Sequence, residues 1–245
     1  LAIVVKSMFA KFDNVLLIDS MAFSLVYCKL NYTILLRNFH QNGNIVMKNT
    51  YMTPEEVTIM KFAFVASIAG VSPETYSTVY ETAGNYNLVA GVDGMSAAKE
   101  YIKKLAEEGF ELINLCGDFD DEVTEEIRDM VGEGIEVRNV QYTVDDLIKL
   151  DFLESFKNYG VMIHDENVEK FHEVVLRSDA CDMRVIFVPD MRQAKRAAVR
   201  MLEKRVEFMD LCSWFDTLRL EVLIDATDNS IPIGTCGEMD ILKVK

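Results

Sequence analysis

A segment that recurs within one chain constrains its fold more than composition does, because related residues must solve the same packing problem twice. Here the recurrence lies at an offset of 96 positions. Phe110-Glu111-Leu112-Ile113-Asn114-Leu115-Cys116-Gly117-Asp118-Phe119-Asp120 lies over Val206-Glu207-Phe208-Met209-Asp210-Leu211-Cys212-Ser213-Trp214-Phe215-Asp216 without a gap. Upstream, Met95, Ala98, Lys99 and Glu107 match Met191, Ala194, Lys195 and Glu203. Downstream, Glu125, Asp129 and Ile135 match Glu221, Asp225 and Ile231. One single-residue gap then brings Phe62 to Ala66 over Tyr159 to Ile163. The chain carries two copies of one unit.

Each copy reads as strands alternating with helices. In the first, residues 61–66 form a short apolar strand. Residues 73–82 are expected as a helix, with Ser72 as N-cap and Pro73 at the first position, and 87–92 as a strand. Residues 96–108 place Ala97, Ala98, Tyr101, Ile102 and Leu105 on one helical face, ended by Gly109. Residues 110–116 are a strand, 121–131 a helix and 135–142 a last strand. The second copy repeats the series. The expected fold class is α/β: two tandem repeats of a small, mostly parallel βαβαβαβ unit related by a pseudo-twofold axis.

Of 245 residues, half are apolar, enough for a packed core, and the formal net charge is −15. The charge is uneven: residues 1–59 hold five basic and four acidic side chains, 60–154 seven and twenty, 155–245 thirteen and sixteen. The domain organisation expected from this is a non-domain extension over 1–59, one repeat over 60–154 and another over 155–245. Pro54-Glu55-Glu56-Val57 can be written in purine-rich codons just ahead of Met60, the layout of a bacterial ribosome-binding site. A native product starting at Met60, with 1–59 a translated upstream region, is therefore expected; a helical pair packed on the first repeat and a membrane anchor are the alternatives. The apolar stretch 14–27 is interrupted by Asp19 and Ser20, too polar for a clean membrane span.

The acidic balance argues against nucleic acid and anionic membrane surfaces as partners. Cys28, Cys116, Cys181, Cys212 and Cys236 form no close Cys-x-x-Cys pair, so neither a metal site nor a disulfide framework is indicated, and a cytoplasmic location is expected. No cofactor motif is present.

In open parallel sheets, ligands bind beyond the carboxyl ends of strands. That places Asn114, Cys116 and Gly117 in copy one, and Asp210, Cys212 and Ser213 in copy two, as candidate ligand-binding residues. Asn114 and Asp210 share a strand face with the cysteines, and a polar side chain inside an apolar strand demands a partner. That partner is either a ligand or a neighbouring loop. Cys212 with His164 is the one candidate catalytic pair, against a packed thiol and a surface histidine; copy one has no histidine at that place. Asp118, Asp120, Asp121 and Glu122 repel an anion from copy one, so copy two is the better host. Arg192, Lys195, Arg196 and Arg200 make a basic stripe, read as a solvated face, a dock for an acidic partner or a phosphate contact.

Leu115-Cys116-Gly117-Asp118-Phe119, Leu211-Cys212-Ser213-Trp214-Phe215 and Pro232-Ile233-Gly234 resemble the motifs of a family of small, mostly bacterial, single-domain proteins, domain of unknown function 6506. That family's hallmark is a strand ending Leu-Cys-Gly-Gly-Phe-Gly, with a glutamate two residues before the cysteine, and a last strand containing Pro-Val-Gly. Asn114 and Asp210 stand where the glutamate is. The resemblance implies a fold and two domains, and no substrate. On the residues alone, the function favoured is small-molecule binding at the strand ends near Cys116 and Cys212, with or without chemistry. The alternative is a non-catalytic pseudo-dimeric interaction module in which the two copies contact each other.

Overall fold

The computed structural model describes residues 59–240 and the backbone of 10–12 and 15–17. The short antiparallel pair β1 (Ala10–Phe12) and β2 (Val15–Leu17) belongs to a separate unit, residues 1–57. The expectations for the start of the chain, and Cys28, otherwise lie outside the described residues.

Copy one contributes β3 (Met60–Ser67), β4 (Ser77–Glu81), β5 (Asn85–Val92), α1 (Gly94–Glu107), β6 (Leu112–Leu115), α2 (Asp121–Val131) and β7 (Glu136–Asn139). A connecting helix, α3 (Val144–Asp151), leads to β8 (Asn158–His164), β9 (His172–Arg177), β10 (Asp182–Val188), α4 (Met191–Glu203), β11 (Phe208–Leu211), α5 (Thr217–Ala226) and β12 (Ile233–Thr235). The sheets run β4-β5-β3-β6-β7 and β9-β10-β8-β11-β12, the same order in both copies. All neighbours are parallel except β4 against β5 and β9 against β10. The chain is thus an α/β protein of two tandem, mostly parallel units.

One element differs from expectation in each copy. Residues 73–82 are not a helix: Ser72 accepts from the amides of Thr75 and Tyr76, making a single turn, and the chain then extends as β4. Ser77-Thr78-Val79-Tyr80-Glu81 is rich in β-branched and aromatic residues, which suit a pleated edge. Strand β9 occupies the matching place in copy two. The unit is therefore βββαβαβ, opening on an antiparallel edge strand.

Both crossovers, β5-α1-β6 and β6-α2-β7, move in the same direction across the sheet. Right-handed connections then put both helices on one face, and α1 buries Ala98, Ile102 and Leu105 there. The opposite face is left for the other copy, so the layers run helix, sheet, sheet, helix. Val65, Ile113, Met162 and Leu211 are fully buried, and each such side chain contributes about 1.5–3 kcal/mol. At the rim, Gln141 and Thr235 exchange two backbone hydrogen bonds of 2.8 and 2.9 Å, joining the ends of the two sheets. Among the described residues, no helix is long and apolar enough to cross a membrane.

Candidate functional site

The polar strand residues meet partners from the opposite copy. Asn114 Oδ1 accepts from the Ser213 amide at 2.8 Å, and Asp210 Oδ2 accepts from the Gly117 amide at 3.3 Å. Asn114 matches Asp210 and Ser213 matches Gly117 at the same offset, so one hydrogen bond is made twice, in opposite directions. This reciprocity is the signature of an isologous contact. The cysteines behave alike too: Cys116 Sγ accepts from the Ser67 amide and Cys212 Sγ from the His164 amide, each at 3.3 Å.

The two halves of this clasp are not equal. Asp210 is 1% exposed and also accepts from Tyr159 Oη, at 2.5 Å, and from Tyr142 Oη. Burial pushes its carboxyl up to about 6, even though the two hydroxyls and the Gly117 amide favour the charged form. Burial, and then the nearby Asp210 charge, raise both tyrosine hydroxyls well above their ordinary range. In copy one, Phe62 stands where copy two has Tyr159, so Asn114 has no hydroxyl beside it. Its Nδ2 is buried without a hydrogen-bond partner. The Ser213 amide fixes which way this side-chain amide points, since only an oxygen can accept there.

Tyr142 explains two family glycines. A Cβ on Gly117 would sit 2.7 Å from the Tyr142 ring, and one on Gly234 would sit 2.4 Å from Val140 Cγ1 and 2.7 Å from the same ring. The ring is clamped between a glycine of each copy, and its hydroxyl thereby reaches Asp210.

A second polar centre escaped the sequence reading. Asp165 is fully buried at the end of β8, and its carboxylate accepts from Thr82 Oγ1, Asn85 Nδ2 and Asn87 Nδ2 of copy one, each at 2.8 Å. The Asn167 amide adds a fourth bond at 3.0 Å. Burial alone would raise this carboxyl, but the hydrogen bonds outweigh it and hold it below its ordinary value. The sequence signal was a carboxylate directly after an apolar strand, opposite an Asn-x-Asn pair. At the other end of β8, beside Tyr159, the buried Tyr76 hydroxyl donates to Cys181 O at 2.9 Å and accepts from the Met183 amide at 3.1 Å.

The candidate catalytic residues lie near each other without forming an acid–base pair through their side chains. The His164 ring stacks on Trp214 (3.8 Å, 5°) and Nε2 lies 3.1 Å from Pro189 O. Desolvation lowers its pKa and keeps it neutral at pH 7. The Arg219 guanidinium also lies over the Trp214 ring at 4.3 Å. Burial pushes the Cys212 thiol up to about 11 and the Cys116 thiol higher still, so both are protonated at neutral pH. In the basic stripe, Arg200 pairs with Glu173 and Arg192 with Asp190, while Lys195 and Arg196 are exposed.

A polar cleft of about 460 Å³ opens where the copies meet at the rim. Copy one lines it with Asp121, Glu125, Arg128, Arg138, Asn139 and Gln141, and copy two with Cys236, Gly237 and Glu238.

Two like α/β units clasped through the ends of their parallel strands define a fused pseudo-dimer. The chain belongs to the family of unknown function DUF6506, whose model matches it twice, over residues 60–153 and 157–239. A search of curated proteins finds no match. Among solved structures, an NtrC family transcriptional regulator from Clostridium acetobutylicum is similar at 8% identity and a TM-score of 0.26, covering 74% of this chain and 88% of that one. An ABC transporter solute-binding protein from Conexibacter woesei aligns at 15% identity and a TM-score of 0.23, covering 71% and 69%. The TorS sensor domain–TorT complex aligns at 9% and 0.23, covering 72% and 74%. Likenesses this distant carry no argument.

Proposed function

We propose that the chain is a non-catalytic interaction module, built as a covalent pseudo-dimer. The observation that supports it is the reciprocal clasp: Asn114 and Asp210, and the strand-end amides of Ser213 and Gly117, are spent on one another across the seam. Those amides are the donors an anionic ligand would need at this place. Thiols held protonated are poor nucleophiles, because the thiolate is the reactive form. Alkylation of the native full chain with iodoacetamide at pH 7, read by site-resolved mass spectrometry, tests the reading. Cys116 and Cys212 should be modified far more slowly than a free thiol, and at the free-thiol rate in urea. A fast Cys212, silenced by His164→Ala, would replace this reading with a nucleophilic one.

Small-molecule binding is the second reading, favoured by the rim cleft, whose size is that of a ligand site. Arg128 and Arg138 on one wall, with Asp121, Glu125 and Glu238 nearby, suit a small zwitterion or other polar metabolite. A thermal-shift screen of metabolites against the full chain decides it: a hit abolished by Arg138→Ala establishes the cleft as the site.

A further inference from the structure

Helix α3 is built inside out. Its buried side chain is Asp146, which pairs with Lys149 at 2.8 Å and with the hydroxyl of the N-cap Thr143 at 2.7 Å. Apart from the half-buried Leu150, its apolar side chains point to solvent: Val144 is 73% exposed, Leu147 and Ile148 50% each, and Phe152, just past the helix, 82%. Those positions make one stripe at helical spacing. A connected apolar stripe on a surface helix marks a contact site. Asp145, Asp151 and Glu154, all exposed, give it an acidic rim.

The outer helical layer of copy two has the opposite character. Helix α4 exposes Lys195, Arg196 and Val199, and the neighbouring α5 exposes Leu218 and Val222. Lys195 and Arg196 have no acidic partner among the described residues. Helix α5 also carries Glu221 and Asp225, so the basic character belongs to α4. This surface offers what the α3 stripe asks for: apolar side chains beside positive charge. Two α3 stripes could not serve each other equally well, because their acidic rims would meet.

We infer that these surfaces are the two sides of a head-to-tail contact between copies of this chain, the α3 stripe of one molecule seated on the α4–α5 face of the next. The inference goes beyond the proposed function and does not rest on the clasp, since neither surface takes part in it. Each molecule keeps one face of either kind, so the contact propagates into a ring or a chain. The net charge of −15 does not forbid it at physiological ionic strength, where charges more than about 8 Å apart are largely screened.

Sedimentation of the full chain across a wide concentration range tests this with two variants. One carries Leu147→Asp with Ile148→Asp, the other Lys195→Glu with Arg196→Glu. All four side chains are at the surface, and unchanged far-ultraviolet circular dichroism verifies the fold. The unaltered chain should grow past a dimer as concentration rises, and each variant alone should stay monomeric. An equimolar mixture of the two should form a one-to-one complex and nothing larger, because only one intact pair of faces remains. A second stripe variant, Val144→Asp with Phe152→Asp, should behave as the first. A chain that is monomeric at every concentration overturns the inference. So does a Lys195→Glu, Arg196→Glu variant that still dimerises, or a mixture that fails to associate.

Discussion

Asp210 and Asn114 occupy equivalent positions and differ by one atom type, yet their surroundings ask different things of them. Asp210, raised to about 6 by burial, binds a proton more tightly folded than unfolded. Its contribution is therefore fully present below the ordinary carboxyl range near 4 and is lost as pH rises through about 6. The loss is on the order of 3 kcal/mol. Urea unfolding of Asp210→Asn against the unaltered chain should show this component of the pH slope disappearing between pH 4 and 6.5; parallel slopes would contradict the assignment. Asn114 has the reverse problem, an unpaired buried Nδ2, which costs about 1–3 kcal/mol. Phe62→Tyr copies the arrangement of Tyr159 beside Asp210 and supplies an acceptor. It should raise stability by roughly 1 kcal/mol in urea unfolding, whereas a fall would mean the hydroxyl does not fit. That these two strand positions need partners was legible in the sequence, since each is a polar residue in an apolar run. That the partner is the other copy's backbone was not, because it depends on how the two sheets face each other.

At the level of elements, the sequence was readable wherever period and caps agreed. Helix α2 falls on the expected 121–131, with Asp120 as its cap, and Gly109 follows α1 with a φ of +81° that suits glycine. The Ser72-Pro73 start before β4 imitates a helix N-terminus, and the expectation for β9 rested only on its being the counterpart of that segment in the repeat. What opposes a helix in copy one is the run Ser77-Thr78-Val79-Tyr80 that follows, whose β-branched and aromatic residues favour a strand. Helix α3 was overlooked although Thr143-Val144-Asp145-Asp146 is a capping signal, the Thr143 hydroxyl accepting from the Asp146 amide at 3.1 Å. It lies after the last strand of copy one, where the offset of 96 runs into the end of the described residues and the repeat supplies no counterpart. Strand β12 is short, and its fit depends on Gly234. Gly234→Ala would drive a methyl group into Val140 and Tyr142 of the other copy and should cost about 1–3 kcal/mol, measured as a lowered urea midpoint. A neutral result would show that the Tyr142 clamp yields easily.

On the scale of the whole molecule, the duplication was the strongest reading from sequence, and the two sheets carry it in identical strand order. The candidate site was legible as residues and not as a role. Asn114, Gly117, Asp210 and Ser213 do come together, across the seam, and Cys116 and Cys212 lie beneath strand-end amides. Residues 59–240 share one continuous apolar core, so the copies should open together. Hydrogen exchange under native conditions should give the central strands β3, β6, β8 and β11 a common opening free energy. Two distinct values would mean the copies unfold independently.

The Asp165 centre shows what tandem fusion has made irreversible. Its donors Thr82, Asn85 and Asn87 correspond in the second copy to Ser178, Cys181 and Met183, and Asp165 itself corresponds to Ile68 in the first. Were the second copy to pair with its own kind, each carboxylate would keep the Asn167 amide and face a serine hydroxyl but lose both asparagine donors to a thiol and a thioether, and a buried charge short of partners is costly. Were the first to do so, its asparagines would face isoleucine. Neither half can now return to self-pairing, so lock and key have been divided between twins, and a single gene must deliver both.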